Sequence, residues 1–409
     1  MKRLVLLVVW CISLVFNLIG SDIYQKGTLK LIPDNTFAQG CDWSKLFTAN
    51  LPTLPQPYME TREYLALAPD NTIYVIEHNN YNAGTVFKFA ADGTLLSTKA
   101  DMSGKVNPSV WAKHLELPAV NDKNELWISE YARLNRCNGQ GNVLATTKLD
   151  HPIADLLFLK GGGLILSTGY SIALGQGVVK NTVSLLNAQT AKETVIARFS
   201  GKPFYIAMPV KLEGGRGMVG GILGMGMPSN VGKLFIAGTP EGKLVVGFSD
   251  SPEILLFSSE GRKIGGFTLP IQRPTLNPEQ KAQAVQRISQ SLDSLAAGKK
   301  ASADEIERAR EKLKEYPTAL PYYSNLLTDD QGNILVFLTN PGNSAIVEFM
   351  AFSQSGKALG KCRITLPQGV SLRLDGRKQM AFRDGWLYAL IHKNVSGKEQ
   401  VQLARFKLE

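Results

Sequence analysis

Residues 64–99 constrain the fold more than any other stretch. They read YLALAPDNTIYVIEHNN, then a short loop, then TVFKFAADGTLLSTK. Ile73, Val75, Val86, Phe87, Phe89, Leu95 and Leu96 fall in four short apolar runs separated by polar turns. Pro69-Asp70-Asn71 and Ala91-Asp92-Gly93 are turn chemistry, because Asn, Asp and Gly tolerate left-handed backbone. Short runs bounded by such turns predict a four-stranded antiparallel meander.

The frame returns along the chain. Residues 117–148 carry VNDKNELWISEY, and residues 154–199 carry ADLLFLKGGGLILSTGY. Residues 233–269 carry KLFIAGTPEGKLVVGFSD, 326–366 carry LLTDDQGNILVFLTN, and 379–408 carry QMAFRDGWLYALIHKN. One such sheet leaves its faces partly covered, and stacking copies radially buries them. The expected architecture is therefore all-β: a six-bladed β-propeller with a helical-hairpin insert between blades four and five. The last copy lacks a fourth strand, and residues 29–32 are expected to supply it.

The recurring D-x-x-G-N-x-hydrophobic turn resembles the six-bladed propellers of the NHL/TolB-like and gluconolactonase-like superfamily. The resemblance covers roughly residues 28–409. A charged helical hairpin ahead of P-x-x-x-x-L-L-x-D-D-x-G-N also resembles exported bacterial propellers of unassigned function. That superfamily contains both enzymes and binding scaffolds, so the likeness implies architecture before activity.

At the N-terminus, Lys2-Arg3 precedes an apolar run over residues 4–19. A basic start followed by an apolar run is the pattern of an export signal. Residues 1–21 are read as a signal peptide or an uncleaved anchor, and 22–409 as the propeller. This places the protein in the periplasm, outside the cell or on the cell envelope, with membrane association through the N-terminus. Residues 200–232, rich in Gly and Met, are expected to form a long mobile loop. Residues 270–321 break the β pattern. Asn277-Pro278 starts one helix, and Ser302 with Glu305 forms the capping box of a second.

Of four cysteines, three lie beyond the signal region: Cys41, Cys137 and Cys362. They leave one disulfide conceivable in an oxidising compartment, without indicating which pair. The formal net charge is +10. Residues 357–409 hold eleven Lys/Arg against four Asp/Glu, most simply a solvated basic face. There is no interleaving of basic and aromatic residues, and nucleic acid is not an expected partner. No G-x-S-x-G elbow, P-loop or H-E-x-x-H occurs.

In a propeller, the connections between blades and the loops after each second strand share one face. Counting along the repeats puts His78, Glu130, His151 and His392 near that mouth. Tyr322 or Tyr323 would form an apolar wall, and a small molecule or protein is the expected partner. Gluconolactonase-like enzymes hold a metal with a Glu, an Asn and an Asp at such a mouth. The resemblance therefore implies Glu63, Asn340 and Asp250 as candidates for a divalent ion such as calcium. Two readings result: a non-catalytic binding propeller, and alternatively a metal-dependent hydrolase of the lactonase type.

Overall fold

A computed structural model describes residues 23–47, 62–78, 85–100, 115–130, 132–139, 141–168, 179–201, 207–211, 217–222, 232–298, 301–340, 346–372, 374, 378–396 and 398–409. The expected signal or anchor and parts of the 200–232 stretch lie outside these residues. Among the described residues, no helix is long and apolar enough to cross a membrane.

The chain is mostly strand. β1 is Thr28–Pro33. β2 to β5 are Arg62–Leu67, Ile73–His78, Thr85–Phe89 and Leu95–Ala100. β6 to β9 are Leu115–Val120, Leu126–Glu130, Arg133–Cys137 and Val143–Lys148. β10 to β13 are Ile153–Phe158, Leu164–Thr168, Val179–Asn187 and Lys192–Gly201. β14 and β15 are Ala207–Lys211 and Gly217–Ile222; β16 to β19 are Leu234–Gly238, Leu244–Phe248, Glu253–Phe257 and Lys263–Thr268. β20 to β23 are Tyr323–Thr328, Ile334–Leu338, Ile346–Phe352 and Ala358–Thr365. β24 to β27 are Val370–Leu372, Met380–Arg383, Trp386–Val395 and Lys398–Leu408.

β2–β5, β6–β9, β10–β13 and β16–β19 are four-stranded antiparallel meanders in sequence order. β20–β27 and β1 form one nine-stranded sheet, in which β1 joins β23 on one side to β27 on the other. The first strands of successive meanders lie side by side: β2 beside β6 and β25, β10 beside β6 and β16, β20 beside β16 and β25. Small antiparallel sheets with neighbouring inner strands make a propeller arrangement.

The tight turns repeat one device. The Asp329 carboxylate accepts from the backbone amides of Gln331 at 2.9 Å and Asn333 at 2.7 Å. Asn121 does the same for Lys123 and Glu125, both at 2.9 Å. Asp70 caps Thr72 at 3.0 Å and Asp92 caps Thr94 at 2.9 Å. These side chains replace backbone partners that a two-strand reversal leaves unpaired. Gly93 has φ 85, and a Cβ there would lie 2.6 Å from the Ala38 nitrogen.

The core is divided into slabs between adjacent sheets. Leu126, Ile128 and Cys137 of the second meander pack on Ile76 and Val86 of the first. Phe235, Ala237, Val245 and Ile254 meet Tyr323, Leu326, Ile334 and Val336. Leu65, Val75 and Phe87 meet Tyr388, Leu390 and Leu403 across the join between chain start and chain end. That join is made by β1. Leu31, Ile32 and Pro33 pair antiparallel with Leu408, Lys407 and Phe406. Thr28, Leu29 and Lys30 pair parallel with Arg363, Ile364 and Thr365.

The stretch read as a Gly/Met loop contains strands: β14 and β15 form an antiparallel pair. The Gly214-Gly215-Arg216 run separates two segments able to extend, and sequence periodicity missed so short a pair. Among the described residues no disulfide forms, and Cys41, Cys137 and Cys362 remain thiols. Cys137 and Cys362 are buried in different slabs, which keeps them apart. Pro278–Ala297 and Ala303–Leu313 are helices between β19 and β20, each opened by a capping box.

Candidate functional site

The strand registers define one end of the arrangement. At that end each first strand begins and each second strand finishes. Arg62 faces His78, Leu115 faces Glu130, Ile153 faces Thr168 and Tyr323 faces Leu338. The opposite end carries the Asp/Asn/Gly turns. Buried polar side chains gather at the first of these ends. Glu63, Glu130, Asp155, Asn325, Gln379 and His392 are each at most 6 % exposed. A polar group removed from water at such a place requires a partner.

The inner strands supply part of this polarity through a shared irregularity. A register shift precedes both Asp155 on β10 and Asn325 on β20. Each side chain then accepts from the next residue's amide, Leu156 or Leu326, at 2.8 Å. On the second meander, the Glu130 carboxylate accepts from the Asn135 amide at 3.3 Å, and Asn135 in turn accepts from the Thr146 hydroxyl at 2.7 Å.

Lys378 crosses between sheets at this end, just ahead of β25. Its ammonium donates to the Pro118 carbonyl at 2.8 Å and also to the Leu156 carbonyl. Asp155 Oδ1 stands 3.7 Å away. The Lys378 carbonyl accepts from the Leu65 amide at 2.6 Å, and the Gln379 amide donates to the Glu63 carbonyl at 3.5 Å. The last sheet is thus tied to the first three. Lys378 has φ 53, left-handed backbone that costs a non-glycine residue roughly 1 kcal/mol. Burial pulls its ammonium below the usual lysine range, and Asp155 opposes that shift. Nothing around Lys378 in the sequence marks it; its partners lie more than 200 positions away.

The candidate residues divide. His78 ends β3 at the polar end, and Glu130 is buried there. His392 is buried on β26, with Nδ1 2.5 Å from Glu399 Oε1. His151 Nε2 meets Glu193 Oε1 at 2.8 Å, on the fourth strand of its sheet. Tyr322 is partly exposed, with the Arg273 guanidinium 5.6 Å from its ring. Tyr323 is completely buried in the slab with Phe235, 5.9 Å away ring to ring, so it is packed as core and does not wall a mouth. It opens β20, and strand alternation turns it into the sheet interface. Burial pushes its phenol well above the usual tyrosine range.

Of the proposed metal donors, Glu63 is buried on β2 and Asn340 is exposed after β21. Asp250 takes the Arg273 guanidinium on Oδ1 at 2.6 Å, which occupies it with a charge partner within the protein. Among the described residues, the His/Cys/Asp/Glu group with donor atoms mutually within 4.8 Å is Asp150, His151 and Glu193.

The sheets and their polar end define a propeller-type β protein. No family model and no curated protein sequence matches the chain. Among solved structures it is similar to a member of the DUF4221 family from Bacteroides vulgatus, at 9 % identity over 94 % of this chain and 99 % of that one, TM-score 0.48. It is also similar to a gluconolactonase from Xanthomonas campestris, at 12 % identity over 85 % of each chain, TM-score 0.41. Virginiamycin B lyase from Staphylococcus aureus matches at 10 % identity over 85 % of this chain and 88 % of that one, TM-score 0.39.

Proposed function

We propose that the chain is an exported six-bladed β-propeller of the cell envelope that binds a small molecule or protein partner at its polar end, without catalysis. Four meanders supply four blades, β20–β23 a fifth, and β25–β27 with β1 the sixth. The helical hairpin lies between blades four and five in this reading. The apolar run at residues 4–19 supports export to the periplasm or cell surface.

The observation that carries the binding role is the one-sided distribution of buried polarity. Carboxylates, amides and a histidine lie buried at the strand-start end, whereas the turn end is capped locally. Residues distant in sequence converge there, as in a site that reads polar groups on a ligand.

Glu130→Gln tests the assignment, because the amide keeps the shape and still accepts from Asn135. Purified protein is screened by thermal shift against sugar acids, lactones and short peptides. A compound should raise the wild-type melting temperature by several degrees and that of the variant by clearly less. Equal shifts in both would move the site elsewhere, and turnover of a bound lactone would replace the non-catalytic reading with a hydrolase.

A further inference from the structure

Asp150 and His151 sit in the connection between β9 and β10, and Glu193 near the start of β13. His151 Nε2 lies 2.8 Å from Glu193 Oε1 and 3.8 Å from Asp150 Oδ1. On the other side of the ring, Nδ1 lies 3.3 Å from the Pro152 carbonyl oxygen. A carbonyl oxygen only accepts, so this contact is a hydrogen bond in the tautomer that carries its hydrogen on Nδ1. A neutral imidazole with hydrogen on Nδ1 presents a lone pair at Nε2. That lone pair then faces carboxylate oxygens, which are acceptors too. In that tautomer a metal ion between Nε2 and the two carboxylates would satisfy all three groups, whereas in the other tautomer the Nε2 hydrogen is donated to Glu193.

We propose that Asp150, His151 and Glu193 form a divalent transition-metal site, with zinc the best match. One imidazole nitrogen with two carboxylates is a mixed donor set that suits zinc, whereas calcium takes oxygen donors. Zinc bonds to such atoms are about 2.0–2.2 Å, so donors within 4.8 Å of one another reach a common ion after small side-chain movements. The Nδ1 contact to Pro152 is the arrangement that orients metal-binding histidines, the remote N–H being held by a backbone carbonyl. The Glu193 side chain is 18 % exposed and that of His151 26 %, while Asp150 is 95 % exposed. Solvent therefore completes the coordination on the Asp150 side. An ion here would tie the connection ahead of β10 to the outer strand of the same sheet. The site uses none of the buried residues that carry the ligand-binding reading, although counting along the repeats puts His151 near the same mouth.

The test uses the full chain, stripped of metal and titrated with zinc by calorimetry, with cobalt as a spectroscopic probe. Wild type should bind about one equivalent of zinc and show the visible d–d bands of cobalt held by nitrogen and oxygen donors. His151→Ala and Glu193→Gln should each weaken zinc at least tenfold and lose the cobalt bands. Absence of zinc binding in wild type overturns the site. Zinc binding of equal strength in both variants overturns it as well. If His151→Ala fails to fold, Glu193→Gln decides, since it removes a charge and almost no volume.

Discussion

Among the described segments that depart from the meander rhythm, β1 and the helical hairpin are held in opposite ways. β1 has no core of its own. Leu29 and Leu31 enter a slab built by Leu335, Phe337, Leu387 and Phe406, residues more than 300 positions away in sequence. The helical hairpin brings its own core: Ala284, Ile288 and Leu292 pack on Ile306, Ala309 and Leu313, closed by Tyr316 and Leu320. The difference teaches that six residues shared between sheets can matter more to the whole than a self-contained hairpin.

Removing β1 should have the largest effect. It withdraws two buried leucines, each contributing roughly 1.5–3 kcal/mol by burial, and exposes the edges of β23 and β27. Deletion of residues 28–33 should lower the melting temperature by about 10 °C or abolish folding. An unchanged melt followed by circular dichroism would show that closure adds nothing.

A single substitution sharpens the contrast. Leu31→Ala should destabilise the whole molecule by about 2–5 kcal/mol, as buried leucine truncations do. Leu292→Ala should cost a similar amount only within the hairpin. Hydrogen exchange should then rise over residues 278–313 while the β slabs stay protected. Loss of protection throughout the sheets in Leu292→Ala would erase the distinction.

Acid should weaken the closing segment specifically. Asp34, just after β1, accepts from the Thr36 hydroxyl and amide, and from Arg405 Nε at 2.9 Å. Its carboxyl is held at about 2 instead of 3.8, first by the Thr36 hydroxyl and then by the Arg405 guanidinium. A folded-state value below the unfolded one adds stability that is present above pH 3.8 and lost as pH falls towards about 2. Asp34→Asn should be less stable than wild type at neutral pH, and the gap should narrow through that window. A constant gap in denaturant titrations would assign the stability difference to packing instead.

The smallest effect on the sheets should come from removing the hairpin. Replacing residues 276–320 by a short Gly/Ser linker should leave the β signal and a cooperative melt within about 3 °C of wild type. A molten or insoluble product would show that the helices complete the core between β16–β19 and β20–β23.

Much of the fold was legible because its rules act over a few residues. Asp329, Gly332 and Asn333 make their turn with each other, and Asn277 with Gln280 and Ser302 with Glu305 cap helices three residues away. The missing strand at 29–32 could be read because a meander short of one strand demands a donor. The site was less legible. Position at the polar end followed from counting strands, which brought Glu130 and His78 to that end but could not show that Tyr323 turns inward against Phe235.

What the sequence alone determined is the meander rhythm, its turns, its caps and the identity of the closing strand. Each depends on neighbours in the chain or on an apolar period that composition displays. Only the tertiary structure decided that Lys378 reaches the carbonyls of Pro118 and Leu156, and that His151 meets Glu193. Those partners are brought together by the curvature of packed sheets. A side chain's choice among distant carbonyls and carboxylates leaves no period and no local motif for sequence to carry.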